Sequence, residues 1–215
     1  MLHVIIATRN RDKIRELTRL LAMRGIRWHA LSDFPDVPPV KETGLTFEAN
    51  ARAKACAVAR AAGRIALADD SGLEVEALGW RPGVRSARFA GRHGDHAANN
   101  RKLLRALAGV PPARRRARYR CVLALASPSR LLALTRGAWT GRIALAPRGS
   151  GGFGYDPVFH VPGLGKTVGQ SPASVKRRLS HRANAARRLR PALRRLVGVT
   201  GPRRAGAAGA RRRLA

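Results

Sequence analysis

Carboxylates are almost missing from the second half of this chain of 215 residues. Eleven of its 12 acids fall between Asp12 and Asp95, and from Asn99 onward the sole one is Asp156. A residue type that a segment otherwise avoids has a task where it occurs, so Asp156 is a candidate site residue from the start. Cysteine is as scarce: Cys56 and Cys121 lie far apart among apolar neighbours. That gives no support to a disulfide framework or a zinc site and leaves two small buried hydrophobes. Nor does any stretch reach the roughly 18 consecutive apolar residues of a membrane span. The opening MLHVIIAT runs into polar RNRDK without a small-residue cleavage site, so a cytoplasmic protein with no membrane partner is expected.

What is abundant is arginine. Lys plus Arg number 43, the net charge is +31, and only six of the bases are Lys. A surface that basic attracts phosphate-bearing partners, nucleotides or nucleic acid. Arg and Ala are nonetheless enriched everywhere, ordinary helices included, which points to a coding bias. At 45 % apolar, the chain can bury the core of one globular unit. Residues 1–198 are expected to form a single two-lobed domain, with 199–215, basic and low in complexity, as a disordered tail.

Residues 3–8 read as a buried strand and 12–23 as an amphipathic helix, with Ile14, Leu17, Leu20 and Leu21 at helical spacing. The loop between them sets backbone N–H groups and Arg9, Arg11 and Lys13 where a phosphate could sit. The plainer reading is an N-capping loop, with Asn10 as the cap and Lys13 in solvent, and no Walker A glycine pattern is present. Residues 27–31 suggest a second strand. The proline-rich FPDVPPVKETG after it cannot be regular structure and carries Glu42. Thr46 announces a helix that ends near Gly63. On it Asn50 and Lys54, four apart, share a face that either points into a cleft or stays solvated.

GRIALADDSG reads as strand and turn. Adjacent Asp69 and Asp70 would leave a strand on opposite faces, whereas in a loop at the strand end both could reach a hard divalent cation. A helix cap or tight turn is the alternative for Asp-Ser-Gly. Glycines 72, 79, 83 and 91 with Pro82 indicate a constrained loop. A short helix at 97–107 and a basic linker, GVPPARRRAR, lead to strands at 119–126 and 131–139, the expected floor of a second lobe. In RGSGGFGYDPVF, four glycines admit close backbone approach to a ligand, Phe153 and Tyr155 offer flat faces, and Asp156 adds a carboxylate. That combination suits a base-binding pocket. Finally, a helix begins at about Ser180, with Leu189, Leu193 and Leu196 on its buried side and Pro191 expected to bend it. Lys176, His181 and Arg182 gather at its start, where a helix favours anions.

The segments ATRNRDK, ETGLTFEANARAKA, ADDSGLEVEALGWRPGVRSARFAG, GGFGYDPVF and SHRANA stand in the order and at the spacings of the inosine triphosphate pyrophosphatase family, which the chain resembles over residues 2–197. The resemblance implies an α/β fold: an elongated mixed sheet in two lobes, helices packed on it, and a central substrate cleft. It also implies hydrolysis of ITP, dITP and XTP to the nucleoside monophosphate and pyrophosphate, with Mg²⁺, by a homodimer. Carried over by motif, Thr8, Arg9, Asn10, Arg11, Asp12 and Lys13 would contact the phosphates. Glu42 and Asp70 would hold the metal. Asp70 would accept the proton, with Asp69 and Lys54 in support. Ser71, Phe153, Gly154, Tyr155, Asp156, Lys176, His181 and Arg182 would complete the substrate site. The rival reading is a basic nucleic-acid-binding protein without turnover, favoured by ARRRARYR. It gives no reason for the DDSG segment or the lone late Asp, so specific nucleic-acid binding is not expected.

Overall fold

The computed structural model describes residues 1–200, with side chains to residue 198. Beyond Thr200, the expected tail lies outside the described residues. The apolar opening forms β1 (Leu2–Ile6), buried along most of its length. Asn10 then caps α1 (Arg11–Leu20), its side-chain oxygen accepting from the backbone N–H of Asp12 and Lys13 at 2.9 and 3.1 Å. After β2 (Ile26–Ala30), the proline-rich segment crosses to α2 (Phe47–Ala62), which Thr46 caps and Gly63 closes in the left-handed conformation. β3 (Ile65–Val75) follows, then α3 (His96–Ala106) behind its Asp95 cap. The remaining elements are β4 (Arg116–Ala126), β5 (Leu131–Ile143), β6 (Phe159–Val161), β7 (Lys166–Thr167), α4 (Ala173–Leu179) and α5 (His181–Thr200).

The strands make one sheet in the order β2-β1-β3-β4-β5-β6-β7. β1 runs parallel to β2 and β3, and every later pairing is antiparallel. Side chains alternate across it. Val4, Ile6, Leu67, Leu123 and Leu125 face Leu17 and Leu21 of α1 and Leu189 and Leu193 of α5. Ile5, Ala66, Ala68, Val122 and Ala124 face Ala51, Ala55 and Val58 of α2. Alanines on both sides of that second contact let α2 lie close to the sheet. A separate cluster built on Leu73, Val75, Leu103, Trp139 and Phe159 forms the other lobe, so β3, β4 and β5 carry one sheet through both.

Three expectations change. β3 does not stop at a turn: it continues through Asp69, Asp70, Ser71 and Gly72, in unbroken antiparallel register with β4 from Ala66↔Ala126 to Val75↔Ala117. Paired backbone leaves no room for the Asp-Ser-Gly turn or for a loop at the strand end. The basic linker is mostly ordered structure. Arg115 within it is buried and donates to the carbonyls of Val110, Ala144 and Leu107, while the residues from Arg116 enter β4. A short helix, α4, precedes the Ser180 cap. Pro191, expected to bend this last helix, lies within α5. Where α5 crosses β5, Gly137 is required, since a Cβ there would sit 2.0 Å from the His181 carbonyl oxygen.

Candidate active site

β1 ends at Ile6 opposite Leu67, and the last bond between them is Ala7 N–H to the Leu67 carbonyl at 2.7 Å. β3 goes on alone, so its edge backbone must find other partners. Lys54 Nζ donates to the Asp69 carbonyl at 3.2 Å, and the Leu73 N–H donates to Ser86 Oγ at 2.8 Å. The chain leaving β1 and the chain continuing in β3 diverge here, and such a divergence opens a crevice at the end of a strand.

Because β3 is extended, Asp69 and Asp70 point to opposite faces. Asp69 turns toward α1 and α5 and is fully enclosed. Its Oδ1 lies 2.6 Å from Lys13 Nζ and accepts from Ser71 Oγ at 2.8 Å; its Oδ2 accepts from Arg182 Nε at 2.8 Å and from Cys121 Sγ at 3.2 Å. Burial by itself would raise this carboxyl's pKa, but the Arg182 and Lys13 cations overcome it and hold the group well below the usual carboxylate range. Arg182 Nη2 also donates to Ser71 Oγ at 2.8 Å.

Asp70 turns toward α2. Burial pushes its pKa up to about 6, against the pull of Lys13 and Lys54 and with the Glu42 charge adding to the rise. Its Oδ2 is buried and accepts no hydrogen bond from the described residues. Lys54 forms an ion pair with Glu42. The Asn50 amide fastens the loop that carries Glu42, accepting from the Gly44 N–H at 2.8 Å and donating to the Gly44 carbonyl at 3.2 Å. The solvated-face reading of Asn50 and Lys54 is therefore replaced: both are buried.

In the crevice Lys176 Nζ sits 2.6 Å from Asp156 Oδ2, 2.8 Å from Glu16 Oε1 and 4.1 Å from the centre of the Phe153 ring. Asp156 also accepts from the Phe153 N–H at 2.9 Å and from the Tyr119 hydroxyl at 3.1 Å. Its pKa is raised, by burial, despite Lys176. His181 stacks on Tyr119 with centroids 4.6 Å apart and planes 16° apart. Burial, followed by Arg182 and Lys176, holds the His181 pKa well below 6.5, so the ring is neutral at pH 7. Its Nδ1 is buried without a partner among the described residues. Gly152 adopts φ 77°, and a Cβ there would fall 2.0 Å from Asp156 Oδ2.

The structure therefore groups Lys54, Glu42 and Asp70 with Lys13, and Lys13 in turn lines a crevice with Phe153, Asp156, Lys176, His181 and Arg182. Asn10 and Ser71 line the same crevice, and Asn100 Nδ2 holds the Gly154 carbonyl beside it at 3.0 Å. Not every expected residue converges. Thr8 Oγ1 accepts from the Asn10 N–H at 3.2 Å, shaping the loop, whereas Arg9 and Arg11 are exposed and Asp12 pairs with Arg15. Tyr155 does line the crevice, but as part of its buried wall and not as an open stacking face, its hydroxyl donating to the Ser86 carbonyl at 2.8 Å. Lys13 is held by Asp69 and is not solvated.

Sequence reasoning missed Glu16, which also pairs with Arg182, and Tyr119. Glu16 had a signal, lying three residues after Lys13 on one face of α1. Tyr119 had none short of the β3–β4 register, which sets it opposite Leu73. Arg88 was missed as well; its charge reaches Glu42 and helps hold that carboxyl below its ordinary pKa, after Lys54 and Lys13.

This arrangement agrees with what the chain is similar to. Residues 4–192 match the family model described as the Ham1 family. The dITP/XTP pyrophosphatase of Geobacillus kaustophilus is 50 % identical over 201 residues, covering 94 % of this chain and 98 % of the relative. That of Nitratidesulfovibrio vulgaris is 49 % identical over 192 residues, covering 86 % and 93 %. Among solved structures, a HAM1 protein from Coxiella burnetii superposes with a TM-score of 0.83 at 38 % identity, over 91 % of this chain and all of that one. A match along nearly the whole of β1 to α5, in sequence and in fold alike, makes this chain a member of the Ham1 family.

Proposed function

We propose that the protein hydrolyses non-canonical purine nucleoside triphosphates, ITP, dITP and XTP, between the α and β phosphates, releasing the nucleoside monophosphate and pyrophosphate. The observation that carries this reading is that Lys13 stands between a buried, unusually basic carboxylate, Asp70 with Lys54 beside it, and a crevice in which a flat ring, Phe153, meets Lys176, Arg182 and His181. The names borne by the relatives, dITP/XTP pyrophosphatase, agree with it.

In the reaction, water attacks the α phosphorus. The bond to the bridging oxygen breaks, its electron pair leaves with pyrophosphate, and the water's proton passes to an Asp70 oxygen. A carboxylate with a pKa near 6 is ionised at pH 7 and a better base than a solvated aspartate. Lys13, Lys54 and Arg88 offset charge on the triphosphate and the leaving group. Asp69 takes no proton in this scheme; with both oxygens occupied, it aims Lys13 and Arg182.

The residues fit Mg²⁺, which takes one or two carboxylates plus water and substrate phosphate oxygens. Glu42 and Asp70 would hold it, and the uncompensated Asp70 Oδ2 is an oxygen in want of a partner. When bound, the ion would neutralise phosphate charge and polarise the α-phosphoryl group.

Phe153 stacks on the purine, and Lys176 and Arg182, both within reach of that ring, direct donors to its rim. A 6-carbonyl accepts them. A 6-amino group would leave them unpaired, and a site built for a hydrogen bond rejects such an analogue strongly. His181, Arg182 and Asp156 make that distinction against ATP; GTP carries the same 6-carbonyl, and its rejection rests on its 2-amino group, which neither ITP nor XTP carries. A homodimer in the cytoplasm is part of the same proposal.

The test is product analysis with the full chain. With Mg²⁺, ITP and XTP should give monophosphate and pyrophosphate far faster than ATP or GTP do, and a chelator should stop the reaction. Release of inorganic phosphate and the nucleoside diphosphate, or equal rates on all purine triphosphates, would sink the proposal.

A further inference from the structure

Among the described residues only a minority of the arginines pair with carboxylates, and those that do not, the buried Arg115 apart, are spread over the surface. Outside the crevice, Arg15, Arg116, Arg118, Arg120 and Arg136 are each paired with a carboxylate. On the outer face of α5, Arg187, Arg188, Arg194 and Arg195 are exposed and, among the described residues, meet none. The sequence explains why: no acid follows Asp156, and Asp156 itself is buried.

The four share one face. Successive residues turn by about 100°, so 187, 188, 194 and 195 occupy an arc of roughly 120°, in two pairs about 10 Å apart along the axis. The opposite side of the helix, Leu189 and Leu193, is sealed in the core. Exposed Arg177 and Arg178 of α4 border the stripe. Two of the guanidinium groups are already fixed. Arg187 donates to the Arg178 carbonyl at 2.7 Å and to Asn184 Oδ1, and Arg188 donates to the Arg136 carbonyl. Cations without counter-ions, held in place, bind phosphates at a reduced cost in side-chain ordering.

We propose that this face binds double-stranded nucleic acid through its phosphates, without reading sequence, at a place distinct from the nucleotide crevice. A duplex fits better than the other polyanions. An amphipathic helix that binds a membrane inserts its apolar side, and here that side is covered. Single strands are held by aromatic stacking, and among the described residues α4 and α5 expose no aromatic side chain. The stripe is convex and has only cations to offer, which suits backbone contact and not base recognition.

The test is fluorescence anisotropy of labelled 20-base-pair DNA and RNA duplexes with the full chain, from 50 to 300 mM salt, beside the variant R187Q/R188Q/R194Q/R195Q. Losing four phosphate contacts should lower the magnitude of the log–log salt slope by about 3 to 4, and the affinity at 150 mM salt should fall at least roughly tenfold. The variant R194Q/R195Q alone should lower the slope by about half as much, and thermal melting of each variant confirms that it is folded. DNA and RNA duplexes binding alike would support phosphate recognition by this face; a preference of more than about tenfold for one of them would overturn it. So would a variant that binds like the parent, a parent that fails to bind duplex at 150 mM salt, or equal affinity for anionic vesicles or polyglutamate.

Discussion

Arg182 Nε donates to Asp69 Oδ2 over 2.8 Å and so ties the start of α5 to the middle of β3, 113 residues away in the chain. The other oxygen of the same carboxylate holds Lys13, so one buried anion sets a cation at each end of the crevice. Leaving a buried cation without its partner costs about 3–5 kcal/mol. In a domain of this size that is roughly 10 °C in Tm. Asp69→Ala should lose this much in a melting experiment and raise KM for ITP; an unchanged Tm would show that the network is not structural.

His181 supplies a pH dependence whose sign follows from its burial. Its folded pKa lies well below 6.5, so under mild acid the unfolded chain takes up a proton that the native ring refuses. Stability is therefore complete above about pH 6.5 and declines below it, by up to about 1.4 kcal/mol per pH unit for one proton. In the presence of a chelator, His181→Gln should flatten the fall of Tm between pH 7 and 5. Parallel curves for parent and variant would contradict the assignment.

Gly152 is the position where the loop carrying Phe153 and Asp156 tolerates no side chain. Its φ of 77° strains any L residue, and an added methyl group would strike Asp156 Oδ2. Gly152→Ala should displace Asp156 from Lys176 and reduce kcat/KM for ITP by roughly 100-fold, the scale of an ångström misplacement. Gly154→Ala, also at positive φ but with nothing within 4 Å of the new atom, should cost much less.

Phe153 is expected to act through stacking alone. Removing an aromatic face from beneath a base costs about 1–3 kcal/mol. Phe153→Ala should accordingly raise KM for ITP by roughly 5- to 150-fold and change kcat far less, measured by initial rates. A defect confined to kcat would place Phe153 in the chemistry instead.

The elements were legible wherever a local rule decides them. Asn10, Thr46 and Ser180 cap helices because their side chains satisfy backbone donors a few residues on, and the leucines of α1 and α5 mark the buried sides by spacing. DDSG misled for the opposite reason. Its local chemistry favours a turn, but ten consecutive pairings with β4, a strand more than 40 residues later, override it. The candidate site shows the same division. Asp70, Phe153 and Lys176 stand in segments whose composition announces them. Tyr119 enters through sheet register, and the burial of the Tyr155 hydroxyl depends on Ser86, far away in sequence. What a linear reading could not see is which face of β3 each aspartate takes, since that is set by what packs on the sheet.

That difference between neighbours gives the most direct test. In a pyrophosphate-release assay with ITP and Mg²⁺, Asp70→Asn keeps the shape of the side chain and removes the oxygen proposed to take the proton and to hold Mg²⁺. The variant should melt cooperatively while its turnover falls by about 10²- to 10⁴-fold, the range for losing a general base. A folded Asp70→Asn protein that releases pyrophosphate at the parental rate would contradict the account.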